Sequence, residues 1–422
     1  MATQLRVHYT HLVTYLGYFN EQDPESIITR ILAACLSIRR MTCSARISEA
    51  LAVNARLFRA PGRVNIIGEH TDYNDGLVLP TNTALYTWLT ISPRMDRTVQ
   101  VTSSNLGDMQ SFSLDDIRRS EYPGWLDYLK GVAALIESQG IRLRGAEISV
   151  DGEIPIGGGL SSSASLELAA ATALLEISGA TMQPQQLASL CQQAEQLYAG
   201  VNCGIMDQYS VACCQRGEAI LLDCRSLDAT SVAIPAEISL IVTDSGVKHR
   251  LPDGSYNDRA DECQKALELI KKIEPDVHSL RDVSMTMLHK AQDSMDSRLF
   301  RRARHVVKEI DRVNSAFAAL KSNNIEKLGA LVSDSHASLR DDFEVSCDEV
   351  ERLVEIADAC DGALGSRMVG GGFGGCVLSV VHTDRVDEIV QQLGSDYGEI
   401  TGEIPWIHIV LPTDPAAEVD TQ

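Results

Sequence analysis

"PIGGGLSSSASLELAAATALLEI", Pro155 to Ile177, decides how this chain of 422 residues is to be read. Three consecutive glycines, Gly157, Gly158 and Gly159, let a backbone approach a ligand with no side chain in the way. Leu160, Ser161, Ser162 and Ser163 follow, then a run of alanine and leucine that forms helix readily. The turn thus leads into a helix N-terminus, whose free N–H groups and positive dipole end favour phosphate. It is not a Walker A loop, because no lysine follows the glycines, and it lacks the G-x-G-x-x-G spacing of a dinucleotide fold. A bare Gly-Ser loop with a serine cap is the plainer reading. Against it stands a supply of oxygen donors, the serine hydroxyls and Glu195, of the kind Mg²⁺ takes beside phosphate oxygens.

Outward from this turn the patterns mix. From Arg56 to about Asp151, "ALYTWLTISP", "RTVQVTSS" and "AEISVDGEI" predict strands, with one helix over 123–140. A second helix is predicted from near Pro184 to Gly200, and strands at "EAILLDC" and "SLIVTDS". Beyond Tyr256 helices dominate, over 257–273, 301–320 and 347–360. A second glycine run, Gly370 to Gly375, then leads into strand "CVLSVV", helix "DRVDEIVQQL" and strand "WIHIVL". Ahead of everything, "PESIITRILAACLSI" has the apolar stripe of a helix. The regular βαβα beat of a parallel sheet is missing, so the class is α+β. The division expected is a helical extension over 1–55, an N-terminal domain over 56–235 and a C-terminal domain over 236–422.

Composition narrows the partners. There are 37 Lys plus Arg against 58 Asp plus Glu, a formal charge of -21, which repels phosphate backbones and anionic lipids. No nucleic-acid or membrane partner is expected. The eleven cysteines are odd in number and show no C-x-x-C pair, as in a reduced cytoplasmic protein. No basic segment feeds an apolar one at the start, and no apolar run approaches the ~20 residues that span a bilayer.

One further loop is unusual. "GEHTDYNDG", Gly68 to Gly76, carries three carboxylates and a histidine. Ionised carboxylates accept strong hydrogen bonds from hydroxyls, so the loop suits an uncharged polyhydroxyl ligand such as a sugar. A metal site is the weaker alternative, because contiguous side chains point in different directions.

Together, "GRVNIIGEHTDYNDGLVLP" (62–80), "IPIGGGLSSSASLE" (154–167) and "SRMVGGGFGGCVL" (366–378) resemble the three motifs of the galactokinase branch of the GHMP kinase family. "CGIMDQY", "LLDCRSL", "RRARHVV" and "SHASLRDDFEVSC" match it too. The resemblance implies an N-terminal domain like ribosomal protein S5 domain 2 and a ferredoxin-like C-terminal domain, with the site between them. It further implies ATP and Mg²⁺ as cofactors, and transfer of the γ-phosphoryl to the anomeric hydroxyl of α-D-galactose. Glu69, His70, Thr71, Asp72, Gly204 and Tyr256 would meet the sugar. Asp207, also at the sugar, would be the base. Arg63 would hold Asp207 as a carboxylate and stabilise the transferring group. Gly157, Gly158, Gly159, Leu160, Ser161, Ser162 and Ser163 would wrap the phosphates, and Ser163 and Glu195 would hold the metal.

The likeness leaves alternatives open: a kinase for N-acetylgalactosamine or arabinose, or a galactose sensor without activity. Asn74-Asp75 and the uninterrupted phosphate loop favour a galactose enzyme. A monomer or weak dimer without an obligate protein partner is expected. Departures from the family pattern are the long extension, Asp244 where Asn is common, and Arg259 without neighbouring arginines. Lys248 keeps a charge where the family is often basic.

Overall fold

The computed structural model describes Arg46, residues 55–247 and residues 255–420. The predicted helix over 24–38, most of the extension and Lys248 lie outside the described residues. In the first half the strands are β1 (Arg56–Asn65), β2 (Leu77–Val78), β3 (Pro80–Pro93), β4 (Thr98–Ser103), β5 (Asp108–Ser113), β6 (Ala146–Gly152), β7 (Glu218–Asp223) and β8 (Ala229–Ala233). The helices there are α1 (Trp125–Ser138), α2 (Ser162–Ile177), α3 (Pro184–Ala194) and α4 (Met206–Cys213). The second half contains β9 (Ile238–Asp244), α5 (Ser255–Lys271), α6 (Met285–Lys290), α7 (Ser297–Lys321), α8 (Ile325–Ser338) and α9 (Asp348–Ala359). It ends with β10 (Ala363–Met368), β11 (Cys376–His382), α10 (Val386–Thr401), β12 (Ile407–Ile409) and β13 (Ala417–Glu418).

Six strands form the larger sheet in the order β13-β1-β3-β6-β4-β5, all antiparallel except the β4–β6 pair. The alternation in β3 would leave one face to water. That face is covered instead: Leu57, Ala84, Tyr86 and Trp88 pack with Leu411 and Val419 from the end of the chain. On the other face α1, α2 and α3 close a core around Phe58, Leu89, Ile91, Leu168 and Leu174.

The second sheet is β10-β11-β9-β12, antiparallel throughout. Its chain order, a strand, helices, two strands, a helix and a strand, with the first strand central, is the ferredoxin-like arrangement. β2, β7 and β8 make a small third sheet. Val64, Ile66, Ile67, Leu77 and Leu79, which flank the polar loop of the first half, belong to the core of the second half. The loop is therefore clamped between the two halves. Among the described residues no helix is long and apolar enough to cross a membrane.

Candidate active site

The register of β1 against β3 shifts between Pro61 and Gly62. Such a bulge re-aims the side chains that follow it. Gly62 sits so close to the phosphate loop that a β-carbon would lie 2.8 Å from the Leu160 carbonyl. The Arg63 N–H donates to that same carbonyl at 3.2 Å. Its side chain, 4% exposed, donates from Nε to Asp207 Oδ1 at 2.8 Å, with Nη2 at 2.7 Å, and from Nη1 to the Gly159 carbonyl. The second oxygen of Asp207, Oδ2, accepts from Ser161 Oγ at 2.5 Å. Asp207 stands in the first turn of α4, and Ser161 takes a left-handed φ of 60° just before α2. Arginine, carboxylate and phosphate loop are thus one bonded unit.

Gly159 (φ 75°) would need a β-carbon 2.8 Å from the Val369 carbonyl, and one on Gly370 would lie 3.0 Å from the Gly159 α-carbon. The two glycine runs therefore press backbone on backbone. Gly157 also has positive φ, and Leu160 is buried beneath the loop as its anchor. Ser162 and Ser163 open α2, so the first-turn amides of a long helix face the loop without intrahelical partners.

The polar loop turns through Gly68 (φ 114°) and His70 (φ 64°). Glu69, 2% exposed, pairs with Arg367 at 2.7 Å and accepts from the Gly370 N–H at 3.0 Å and from the Asn65 amide. Burial raises its carboxyl, opposed by Arg367. Thr71 turns inward and spends its hydroxyl on the Gly68 and Leu77 carbonyls. His70 meets the Tyr73 hydroxyl through Nδ1 at 2.8 Å, while its buried Nε2, beside the Gly371 backbone, has no partner at hydrogen-bond geometry. Burial, with His305 nearby, holds its imidazole well below the usual range, hence neutral. Asp72 lies directly on Gly204, where a β-carbon would fall 2.0 Å from Oδ2. Its carboxyl is pushed up to about 7 by burial first and by Asp207 second. Tyr256 closes this side, its ring 5.7 Å from His70, 5.6 Å from Tyr73 and against Gly371.

On the phosphate side α3 runs into a single widened π turn, Glu195–Ala199, a distortion common at functional sites. It places the Glu195 carboxylate against the Ser163 hydroxyl, with the Gln208 amide donating to it at 2.6 Å. The same amide reaches buried Glu167 at 3.1 Å. Burial, then Asp207, pushes Glu195 up to about 7, and burial with Glu195 raises Glu167 well above its usual range. A carboxylate and a hydroxyl, both hard oxygen donors, beside Asp207 fit Mg²⁺, which takes few protein ligands. Consistent with that economy, no group of three or more His, Cys, Asp or Glu among the described residues could hold a metal alone.

Sequence reasoning singled out most of these groups but not Asn65, Tyr73, Gln208 or Arg367. The one signal for Arg367 was a charge inside a strand pattern next to a glycine run. Gln208 stood beside Asp207 within a quoted motif, and nothing in its spacing pointed to Glu195.

Residues 48–93 match the family described as galactokinase galactose-binding signature. Residues 127–215 match GHMP kinases N terminal domain, and 316–399 match GHMP kinases C terminal. The chain is 43% identical to a galactokinase of Chloroflexus aurantiacus over 347 residues, 82% of this chain and 89% of the relative. The chain belongs to the galactokinase family. A human galactokinase is 40% identical over 84% of this chain and 93% of its own length. Among solved structures, a Lactococcus lactis galactokinase complexed with galactose aligns with TM-score 0.85 at 33% identity, over 90% of this chain and all of that one. A Methanococcus jannaschii mevalonate kinase, at 16% identity and TM-score 0.62 over 85% and 98% of the two chains, shares the fold. The two-domain GHMP kinase fold expected from the motifs is the one present. In galactokinase terms, Arg63 and Gly68 to Asp72 all lie within the signature match.

Proposed function

We propose that the chain is an ATP-dependent sugar 1-kinase that converts α-D-galactose and ATP to α-D-galactose 1-phosphate and ADP. The observation that carries the reading is the bonded unit of Arg63, Asp207 and Ser161, which fixes the Asp207 carboxylate on the phosphate loop, near enough to Asp72 of the sugar-facing loop to raise its carboxyl. Asp207 accepts the proton of the anomeric hydroxyl as that oxygen attacks the γ-phosphorus and the bond to the β-phosphate oxygen breaks. Arg63 spreads positive charge towards the oxygens of the transferring group. Asp72 and neutral His70 fix the sugar by its hydroxyls, with Gly204 leaving room and Tyr256 closing the site. Glu69 supports that loop through Arg367 and Gly370. The amides from Gly157 to Ser163 hold the nucleotide phosphates.

Ser163 and Glu195 would hold Mg²⁺, which when bound neutralises charge on the β- and γ-phosphates. We place the boundary between the halves at 235/236 and the site between them. The nine cysteines among the described residues are all free, which supports work in the reducing cytoplasm. A monomer or weak dimer is the assembly proposed.

The test is ADP release from MgATP with galactose, glucose, N-acetylgalactosamine and arabinose supplied separately. Turnover with galactose that Asp207→Ala abolishes is expected. Turnover confined to another sugar moves the substrate. Galactose binding by calorimetry without turnover returns the protein to the sensor class.

A further inference from the structure

Two fully buried side chains one turn apart on α7 grip the sugar-facing loop from behind. The Gly68 N–H donates to Glu309 Oε1 at 3.0 Å, and Ser335 donates to the same oxygen at 2.5 Å. Arg312 Nε holds the other oxygen, Oε2, at 2.6 Å. One turn earlier, His305 Nε2 lies 3.1 Å from the Glu69 carbonyl, and its Nδ1 lies 2.9 Å from Ser338 Oγ. A carbonyl only accepts, so Nε2 carries the hydrogen and Nδ1 must take the Ser338 hydroxyl's proton as its hydrogen bond. Burial drops the His305 imidazole to about 4, against the pull of Glu309, so it stays neutral and this tautomer is fixed.

The grip acts on both peptide groups that frame the unusual backbone at Gly68 (φ 114°) and His70 (φ 64°). A non-glycine residue in that region costs free energy unless its surroundings compel it. The rings carry the contact further: Phe343 lies 4.6 Å from His305 and 4.5 Å from His70. The bonds of His305 and Glu309 go to the sugar-facing loop and to α7 and α8, not to the phosphate loop.

We propose that His305 and Glu309 are positioning residues of the sugar site, holding the Gly68–Glu69 peptides so that His70 and Asp72 face the cleft, with Ser338 setting the tautomer. The inference rests on the galactokinase reading above.

It is tested by steady-state kinetics on His305→Leu, His305→Gln and Ser338→Ala in the full chain, varying sugar and MgATP separately. Leu320→Ala, at the far end of α7, supplies the comparison for a purely structural loss. His305→Leu leaves a buried carbonyl unpaired, so the galactose KM is expected to rise about tenfold, and about threefold in Ser338→Ala. The ATP KM stays within twofold of wild type in both. His305→Gln puts an amide N–H where Nε2–H stands and recovers most of the galactose KM. The proposal is overturned if both KM values move together, or if Leu320→Ala at an equal loss of Tm raises the galactose KM as much. If His305→Leu does not fold, an unchanged galactose KM in Ser338→Ala overturns it. Wild-type turnover on galactose reports the function itself, whereas the proposal is read from variant-to-wild-type ratios on whichever sugar the wild type accepts.

Discussion

Substituting Gly204 by alanine probes the sugar site with a single methyl group. The backbone there has no positive φ, so alanine meets no conformational penalty of its own. The obstacle is Asp72: the new β-carbon would stand 2.0 Å from Oδ2, 2.2 Å from Cγ and 2.7 Å from Cβ. Since real β-carbon contacts essentially never fall below 3.0 Å, the carboxylate must retreat by at least 3.0 − 2.0 = 1.0 Å. A misplacement of that size costs about 10²-fold in rate, or ~2.7 kcal/mol of transition-state stabilisation. The expected result is a galactose kcat/KM about a hundredfold down with the ATP KM within about twofold, since the phosphate loop is untouched. ADP release with each substrate varied in turn measures both. The same methyl added to an Asp72→Ser background should cost far less, because the two residues share one contact. A galactose kcat/KM within threefold of wild type, or equal losses in both backgrounds, refutes the reasoning.

Two other perturbations reach separate parts of the site. Arg367→Met leaves the Glu69 carboxylate buried without its cation and strips donors from the Asn65 and Ile66 carbonyls. Removing one partner of a buried pair costs about 3–5 kcal/mol, read as a lowered urea midpoint, and a loss below about 1 kcal/mol contradicts this. Glu195 binds its proton more tightly folded than unfolded, so the stability of its neutral form is complete below about pH 4.5 and is lost as pH rises to about 7. Glu195→Gln mimics that neutral form. Its ligand-free stability should sit close to wild type at pH 5, pull ahead by up to ~1.4 kcal/mol per pH unit, and run parallel above about pH 7. A gap that shrinks with rising pH would show the sign to be wrong.

The parts legible in the sequence are those built from neighbours. The turn from Gly157 to Ser163, the helix that follows it and the loop from Gly68 to Gly76 carry much of their conformation in residue type: glycine at 68, 157 and 159 where φ is positive, serines at the helix start, carboxylates in a turn, whereas the left-handed φ of His70 and Ser161 left no such sign. The helices over 301–320 and 347–360 showed in their apolar spacing; α7 covers the first and α9 matches the second to within one residue at each end. α8 was not anticipated, because the polar run Ser333-Asp334-Ser335-His336 interrupts its stripe, and those groups are polar for a reason: Ser335 serves Glu309. Contacts between distant residues left no local trace. Arg302, His305 and Glu309 on α7 and Arg367 on β10 are all buried, although side chains of these types usually face water. Most of their partners lie in other elements, and no period in the chain points to them.

The clamp on the sugar-facing loop has a bearing on how the protein is made. Gly68 and Glu309 are separated by 241 positions. At a synthesis rate of roughly 5–20 residues per second, about 10 to 50 s pass between the two leaving the ribosome. Over that interval Ile66, Ile67, Leu77 and Leu79 have no second-half core to enter, and the first half is a nascent chain with apolar side chains still to be covered. A pairing so distant in sequence forms late, after local helices and hairpins are in place. The sugar site is therefore among the last features completed at birth, and an early stop in translation yields a half-protein whose Ile66, Ile67, Leu77 and Leu79 stay uncovered beside the place where the ligand would have bound.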